Sequence, residues 1–173
     1  ITVTPTNVCG TGPAQTLAVV MTSTDDQNAA GTNTWIGHVY DGTNFNDYAG
    51  YFSEAITFNQ NFGGNAVCFD FTSNSVTRSI YTETFSVRYR MNSTSRGLYI
   101  ADLGSDDGSR LTVDGSLIYN NWADQGFTTR PGVLMNLTGT SQLVYDFYEN
   151  GGVNSVVFQN FTSLIGNILS SNT

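Results

Sequence analysis

Apolar and polar residues alternate along much of this chain with a period of two, which is typical of half-buried β-strands. Phe85–Met91 alternates without a break, and Gln142–Tyr148 places its apolar side chains on one face. Short apolar runs at 133–135 and 155–158 predict further strands. No segment of useful length shows the 3.6-residue period of an amphipathic helix. The pattern therefore predicts an all-β protein.

Clusters of turn-forming residues separate these runs at intervals too short for a helix between successive strands. They lie at 41–44, 61–65 and 130–132, and Asp114-Gly115 is a signal for a two-residue hairpin turn. We therefore predict an antiparallel two-sheet β-sandwich with long apical loops. The length of 173 residues suits a single domain over residues 1–173. Residues 1–16 would form an N-terminal extension or an edge strand.

The charge balance narrows the range of partners. The chain has six Arg, no Lys and fourteen acidic residues, which give a formal net charge of −8. Phosphate backbones and anionic lipid surfaces would repel such a chain, so we expect no nucleic-acid partner. No apolar run approaches the length of a membrane helix, so we also expect no membrane insertion.

The abundance of Asn, Thr, Ser and Gly predicts a neutral, hydrogen-bonding surface of the kind that exported proteins carry. We expect an extracellular or cell-surface location. The chain starts without Met, so we expect a processed or excised fragment, part of a larger multidomain surface protein. Its two cysteines, Cys9 and Cys68, fit neither a zinc pattern nor a redox motif. They would form one disulfide or remain two buried free thiols.

Asp106 and Asp107 are the strongest candidates for chemistry. They lie side by side in a loop that glycine residues flank. Adjacent carboxylates repel each other, and a cation or several hydrogen-bond donors would relieve that repulsion. Calcium prefers such oxygen ligands. The alternative is a turn, because Asp side chains also accept hydrogen bonds from the backbone two residues further on.

Catalysis by this chain is not expected. The sequence holds no nucleophile-elbow, zinc-protease or phosphate-loop motif. Two carboxylates of a glycosidase must flank the scissile bond, which sequence neighbours such as Asp106 and Asp107 cannot easily do. We interpret His38 and Trp122 as structural residues.

Three stretches resemble the protective-antigen-type β-sandwich lectin domain, which occurs in yeast flocculins, epithelial adhesins and glycosidase-attached modules. They are Trp35–Gly42, Ser105–Trp122 and Leu143–Gly152. The resemblance spans roughly Trp35 to Phe161 and implies the same sandwich fold.

The resemblance also implies a calcium site. In the lectin branch of this family, a cis peptide joins two neighbouring aspartates, here Asp106 and Asp107, and both chelate one Ca²⁺. A second loop supplies an asparagine side chain, here Asn150, and backbone carbonyls near Gly152 and Asn154. Two hydroxyl groups of a sugar complete the coordination, and Asn150 and Asn154 would contact the edge of that sugar. Flocculins carry an aromatic residue in the second loop, which this chain lacks.

These expectations define a calcium-dependent carbohydrate-binding module of a secreted or cell-surface adhesin or polysaccharide-processing protein. The alternative is a structural domain that binds no ligand and spaces or supports a neighbouring domain.

Overall fold

The computed structural model describes residues 2–4, 6–12, 15–16 and 25–164. Between residues 25 and 163 every regular element is a β-strand, so the predicted all-β sandwich fold is confirmed. The strands, in chain order, are β1 (Thr2–Val3), β2 (Thr6–Asn7), β3 (Gly10–Thr11), β4 (Gln15–Thr16), β5 (Gly31–Thr32), β6 (Trp35–Asp41), β7 (Asp47–Glu54), β8 (Phe58–Asn61), β9 (Cys68–Ser73), β10 (Val76–Tyr81), β11 (Phe85–Ser93), β12 (Arg96–Asp106), β13 (Ser109–Val113), β14 (Ser116–Asn121), β15 (Thr128–Thr138), β16 (Ser141–Glu149) and β17 (Ser155–Ser163).

Two antiparallel sheets form the body of the molecule. One has the strand order β14-β13-β16-β11-β6-β7, with the short β5 pairing in parallel to β11. The other has the order β15-β12-β17-β8. Strands β9 and β10 form a separate two-stranded sheet, and the short N-terminal strands pair as β1 with β4 and β2 with β3.

The predicted alternation decides which side chains enter the core. In β11 the residues Phe85, Val87, Tyr89 and Met91 are fully buried, whereas Arg88 and the next arginine lie on the outer face. Strand β16 repeats this arrangement, and the inner faces of β12 and β17 cover both strands from the opposite sheet. Burial of a large apolar side chain stabilises a fold by about 1.5–3 kcal/mol, so this pattern also fixes the register.

Two local predictions agree with the structure. Asp114 and Gly115 form the two-residue link between β13 and β14, with φ angles of 49° and 80°. Both positions therefore require the left-handed region that Asp and Gly tolerate best. A disulfide joins Cys9 to Cys68 and ties the N-terminal segment to β9. None of the described residues forms a helix long and apolar enough to cross a lipid bilayer.

Candidate metal and ligand site

The acidic pair lies at one end of the sandwich, where β12 ends and β13 begins. A cis peptide bond joins Asp106 to Asp107, as the family resemblance implies. The buried hydroxyl of Ser105 donates to the carbonyl of Asp107 at 2.7 Å and lies 2.7 Å from the hydroxyl of Ser109. These two serines are inaccessible to solvent, so their hydrogen bonds fix the loop from the side of the core.

Gly108 lets an aromatic ring pack directly on this loop. A Cβ atom at this position would lie 2.2 Å from Cε1 of Tyr148, which is far closer than van der Waals contact allows. Only glycine fits here without displacing the loop or the ring. The glycine after the acidic pair is therefore explained by a contact with β16.

The Asp107 carboxylate joins three segments that are distant in sequence. One oxygen, Oδ1, accepts the backbone N–H of Gln125 at 2.7 Å, and the other accepts the backbone N–H of Asn150 at 2.8 Å. Only 5% of Asp107 is exposed. These two hydrogen bonds tie the acidic loop to the segments that contain Gln125 and Asn150.

A third carboxylate, Glu149, lies behind the pair. Ligand oxygens of Asp106, Asp107 and Glu149 all fall within 4.8 Å of one another. Glu149 is fully buried, and neither of its carboxylate oxygens has a hydrogen-bond partner. Burial raises the pKa of Glu149 to about 8, and the carboxylates of Asp107 and Asp106 add to this effect. The N–H groups of Gly151 and Asp107 oppose the shift, but neither completes a hydrogen bond.

Asp106 completes the cluster from the solvent side. It is partly exposed, and burial together with the charge of Asp107 raises its pKa. Unpaired buried charge is costly, and a divalent cation is the partner that would neutralise several carboxylates at once. Hard oxygen ligands on fixed loops are the donor set that calcium prefers. The residues present therefore fit the calcium ion that the resemblance implies.

Asn150 lies at the solvent-exposed rim of this cluster. Its side-chain amide donates to the Asp124 carboxylate at 2.9 Å, and the hydroxyl of Tyr148 donates to the other Asp124 oxygen at 2.7 Å. These two hydrogen bonds lower the pKa of Asp124. The described hydrogen bonds do not use the Oδ1 atom of Asn150. The structure thus brings Asp106, Asp107 and Asn150 together, and their role as metal ligands stays a prediction.

Asn154 occupies a different place from the one expected. Its side chain is inaccessible to solvent, donates to the carbonyl of Gly64 at 2.8 Å and accepts the backbone N–H of Phe62 at 3.1 Å. This amide ties the second loop to the loop after β8, so its side chain does not reach the edge of a bound sugar. Gly152 lies between Asn150 and Asn154 in the same loop and is half-buried. Its φ angle of 115° favours glycine. The expected role of the backbone carbonyls near Gly152 and Asn154 stays a prediction.

The sequence analysis did not select Glu149, Asp124 or Gln125 for this site. A signal for Glu149 was present, because the alternation that buries Leu143, Tyr145 and Phe147 continues two residues further to Glu149. Asp124 and Gln125 come from an irregular loop, whose approach to Asp107 no local pattern predicts.

His38 and Trp122 contact other protein groups, in accordance with the structural interpretation. The ring of His38 is buried, with Nε2 2.8 Å from the carbonyl oxygen of Ala29 and Nδ1 3.3 Å from the Tyr48 hydroxyl. Burial lowers the pKa of His38. Trp122 is half-buried over the guanidinium group of Arg110.

Several solved structures share this β-sandwich fold. A PA14 sugar-binding domain from an RTX adhesin matches with a TM-score of 0.52 and 18% identity, over 72% of this chain and 87% of that chain. The PA14 domain of the MpAFP antifreeze protein matches with a TM-score of 0.55 and 16% identity, over 82% of this chain and 85% of that chain. At these identities the likeness shows the fold alone.

An anti-sigma factor domain-containing protein from Clostridium clariflavum also shares the fold, with a TM-score of 0.55 and 17% identity over 75% of this chain. The chain spans 42% of the length of that protein, and the same share of a second protein of this description. No protein-family model and no curated protein matches the sequence.

Proposed function

We propose that this domain binds carbohydrate through a calcium ion held by Asp106, Asp107 and Glu149. The observation that supports this best is the cluster of three carboxylates within 4.8 Å, in which the buried Glu149 has no hydrogen-bond donor. Calcium takes about six to eight oxygen ligands, so carboxylates alone would leave the coordination incomplete. The Oδ1 atom of Asn150 and backbone carbonyls near Gly152 and Asn154 are the proposed further ligands.

A bound calcium ion supplies positive charge and coordination positions for neighbouring hydroxyl groups of a sugar. The protein residues position the ligands around it. Asp107 holds the loops at Gln125 and Asn150 through its two backbone hydrogen bonds. Asp124 orients the side chain of Asn150, which would contact the edge of the sugar. The fold shared with a PA14 sugar-binding domain supports the choice of carbohydrate as ligand.

The proposal assigns the domain a non-enzymatic role outside the cell, as one module of a larger surface or polysaccharide-processing protein. The Cys9–Cys68 disulfide supports an oxidising compartment. Calcium sites of extracellular modules typically bind in the range of about 0.1–1 mM, which such a compartment supplies.

The test is a glycan array probed with the domain in millimolar calcium and again in chelator. We expect glycan binding in calcium only, and none with the Asp107→Asn variant under either condition. Asp47→Asn is the matched control, because it removes the same charge from an exposed residue at the start of β7. Binding that persists in chelator, or in Asp107→Asn, would exclude a calcium-bridged site at this loop.

A structural domain that binds no glycan is the second candidate. It is favoured by the second loop, where Asn154 faces the interior and Val153, rather than an aromatic residue, is 59% exposed. Such a domain would bind no glycan in calcium or in chelator, even where calcium raises its melting temperature. The array therefore separates the two candidates, and the melting experiment measures calcium binding by itself.

A further inference from the structure

Three of the six arginines lie close together on the outer face of the seven-stranded sheet, namely Arg88, Arg90 and Arg110. The register places Arg88 of β11 opposite Asp146 of β16, and Asp146 opposite Arg110 of β13. Arg88, Asp146 and Arg110 therefore form a row across three adjacent strands. In a chain of net charge −8, such a concentration of positive charge calls for a physical explanation.

The Arg88–Asp146–Arg110 row is held rigidly. Arg88 donates to both oxygens of Asp146, at 2.7 and 3.0 Å, and Arg110 donates to one of them at 2.9 Å. The guanidinium carbon of Arg88 lies 4.2 Å from the ring centre of Phe45, and that of Arg110 lies 4.3 Å from Trp122. The salt bridges and aromatic contacts together hold both guanidinium groups in place.

Arg90 lacks a comparable salt bridge among the described residues. It lies one row further along the face, opposite Val144, which in turn is opposite Thr112. Its Nε atom donates to the carbonyl of Gln27 at 3.1 Å, and no carboxylate of the described residues forms a salt bridge with it. Burial, and after it the charge of Arg88, lower the pKa of Arg90, while the charges of Asp146 and Asp26 oppose this shift.

A groove of roughly 440 Å³ runs along these two rows. Arg88, Arg90 and Arg110 line it together with a single carboxylate, that of Asp146. Other groups that line the groove are Thr112, Gly115, Leu117, Gln142 and Val144.

Other acidic residues lie near this face but outside the groove. Asp25 and Asp26 line the neighbouring hollow, which shares Arg88 and Arg90 with the groove. Asp114, at the adjacent hairpin turn, accepts the backbone N–H of Gln142. Among the residues that line the groove itself, three are arginines and one is acidic.

We propose that this groove binds an oxyanion group, a carboxylate or a sulfate, above Val144 and between Arg90 and Arg110. Guanidinium groups present N–H donors in a planar fork that matches carboxylate and sulfate oxygens. Among the described residues, the acceptors that already use these donors are the Asp146 carboxylate and the carbonyl of Gln27. Phe45 and Trp122 hold the guanidinium planes of Arg88 and Arg110 in place. The site lies on the sheet face and uses none of the residues of the carboxylate cluster.

Titration with sodium sulfate and with galacturonate, followed by amide NMR shifts in chelator, tests this inference. Chelator removes any contribution of a calcium site, so failure here is independent of the proposed function. We expect saturable shifts centred on Thr112, Gln142 and Val144 with one or both anions, and none with neutral galactose. The anion that binds identifies whether carboxylate or sulfate is the preferred group.

Arg90→Gln should weaken the binding about tenfold or more, because a hydrogen bond to a charged group is lost. Arg130→Gln is the matched control, since it makes the same charge change on the exposed part of β15 and should leave binding intact. Unchanged melting of both variants verifies the fold, and Arg90→Lys should retain part of the affinity. No saturable shift with either anion, or equal weakening by Arg90→Gln and Arg130→Gln, would overturn the proposal.

Discussion

Replacing Glu149 by Gln should stabilise the calcium-free protein and remove most of its response to calcium. The Glu149 carboxylate is fully buried, has no donor and lies within 4.8 Å of two further carboxylates. Two unit charges 4.8 Å apart repel by about 3 kcal/mol at an effective dielectric constant of about 20. Glutamine has nearly the same shape and removes this repulsion.

Glu149 can avoid this repulsion by binding a proton, and the free energy of that protonation limits the energetic cost. With a pKa of about 8, folded Glu149 keeps a proton at pH 7 that the unfolded chain, with its ordinary pKa of 4.5, releases. Retaining that proton costs about 3 kcal/mol, since each pKa unit corresponds to about 1.4 kcal/mol. The gain in stability from Glu149→Gln should be smaller than this. Asp106 is partly exposed, and a buried glutamine amide would lack hydrogen-bond partners. We therefore expect Glu149→Gln to stabilise the calcium-free protein by about 2 kcal/mol at pH 7.

Thermal unfolding in chelator measures this gain. For a chain of this length, about 2 kcal/mol raises the melting temperature by roughly 4–8 °C. Because the pKa is raised in the folded state, the penalty for Glu149 develops as the pH rises from about 4.5 to about 8. The difference between wild type and Glu149→Gln should therefore vanish below pH 4.5, where Glu149 is protonated in both states.

Calcium should remove most of this difference in stability. With a dissociation constant of about 0.1–1 mM, 10 mM calcium stabilises the wild type by about 1.4–2.7 kcal/mol, and the variant should lose most of this. Glu54→Gln is the control, because Glu54 pairs with Trp35 in the β6–β7 ladder, outside the cluster, and its replacement should leave the calcium response unchanged. A Glu149→Gln variant that is less stable in chelator, or that keeps the full calcium response, would refute this reasoning.

Three further changes test the supports of the site. Gly108→Ala should destabilise the protein by about 1–3 kcal/mol, because its Cβ would overlap Tyr148; an unchanged denaturant midpoint would contradict that packing. Asn154→Ala should cost about 1–3 kcal/mol equally in calcium and in chelator, since it leaves buried backbone groups unpaired; a loss confined to calcium would instead indicate a ligand role. Replacing both Cys9 and Cys68 by Ala should cost about 2–4 kcal/mol in denaturant unfolding without changing calcium affinity measured by calorimetry.

The sequence predicts those parts of the fold that depend on local pattern. Alternation identifies β11 and β16 because one face of each is buried, and Asp114-Gly115 identifies a turn because few residues adopt its φ angles. The acidic pair is visible because two adjacent carboxylates require neutralisation. In each of these cases, a few neighbouring residues carry the physical cause.

Features that depend on distant pairing are less predictable. The orientation of Asn154 depends on a contact with Phe62, which lies 92 residues away in sequence, and an irregular loop has no period that would show it. The arginine row requires the strand order β13-β16-β11, because Asp146 lies 36 residues from Arg110 and 58 from Arg88. Glu149 is predictable in part. Its burial follows from the alternation in β16, but its proximity to Asp106 and Asp107 depends on how distant loops pack.

Tyr148 connects the two charged regions. Its hydroxyl donates to Asp124 at the carboxylate end, while its ring lies 4.6 Å from that of Trp122, which covers Arg110 on the sheet face. The carboxylate cluster and the arginine groove nevertheless have no residue in common. For this reason, chelator should abolish glycan binding and spare anion binding, whereas Arg90→Gln should weaken anion binding and spare glycan binding.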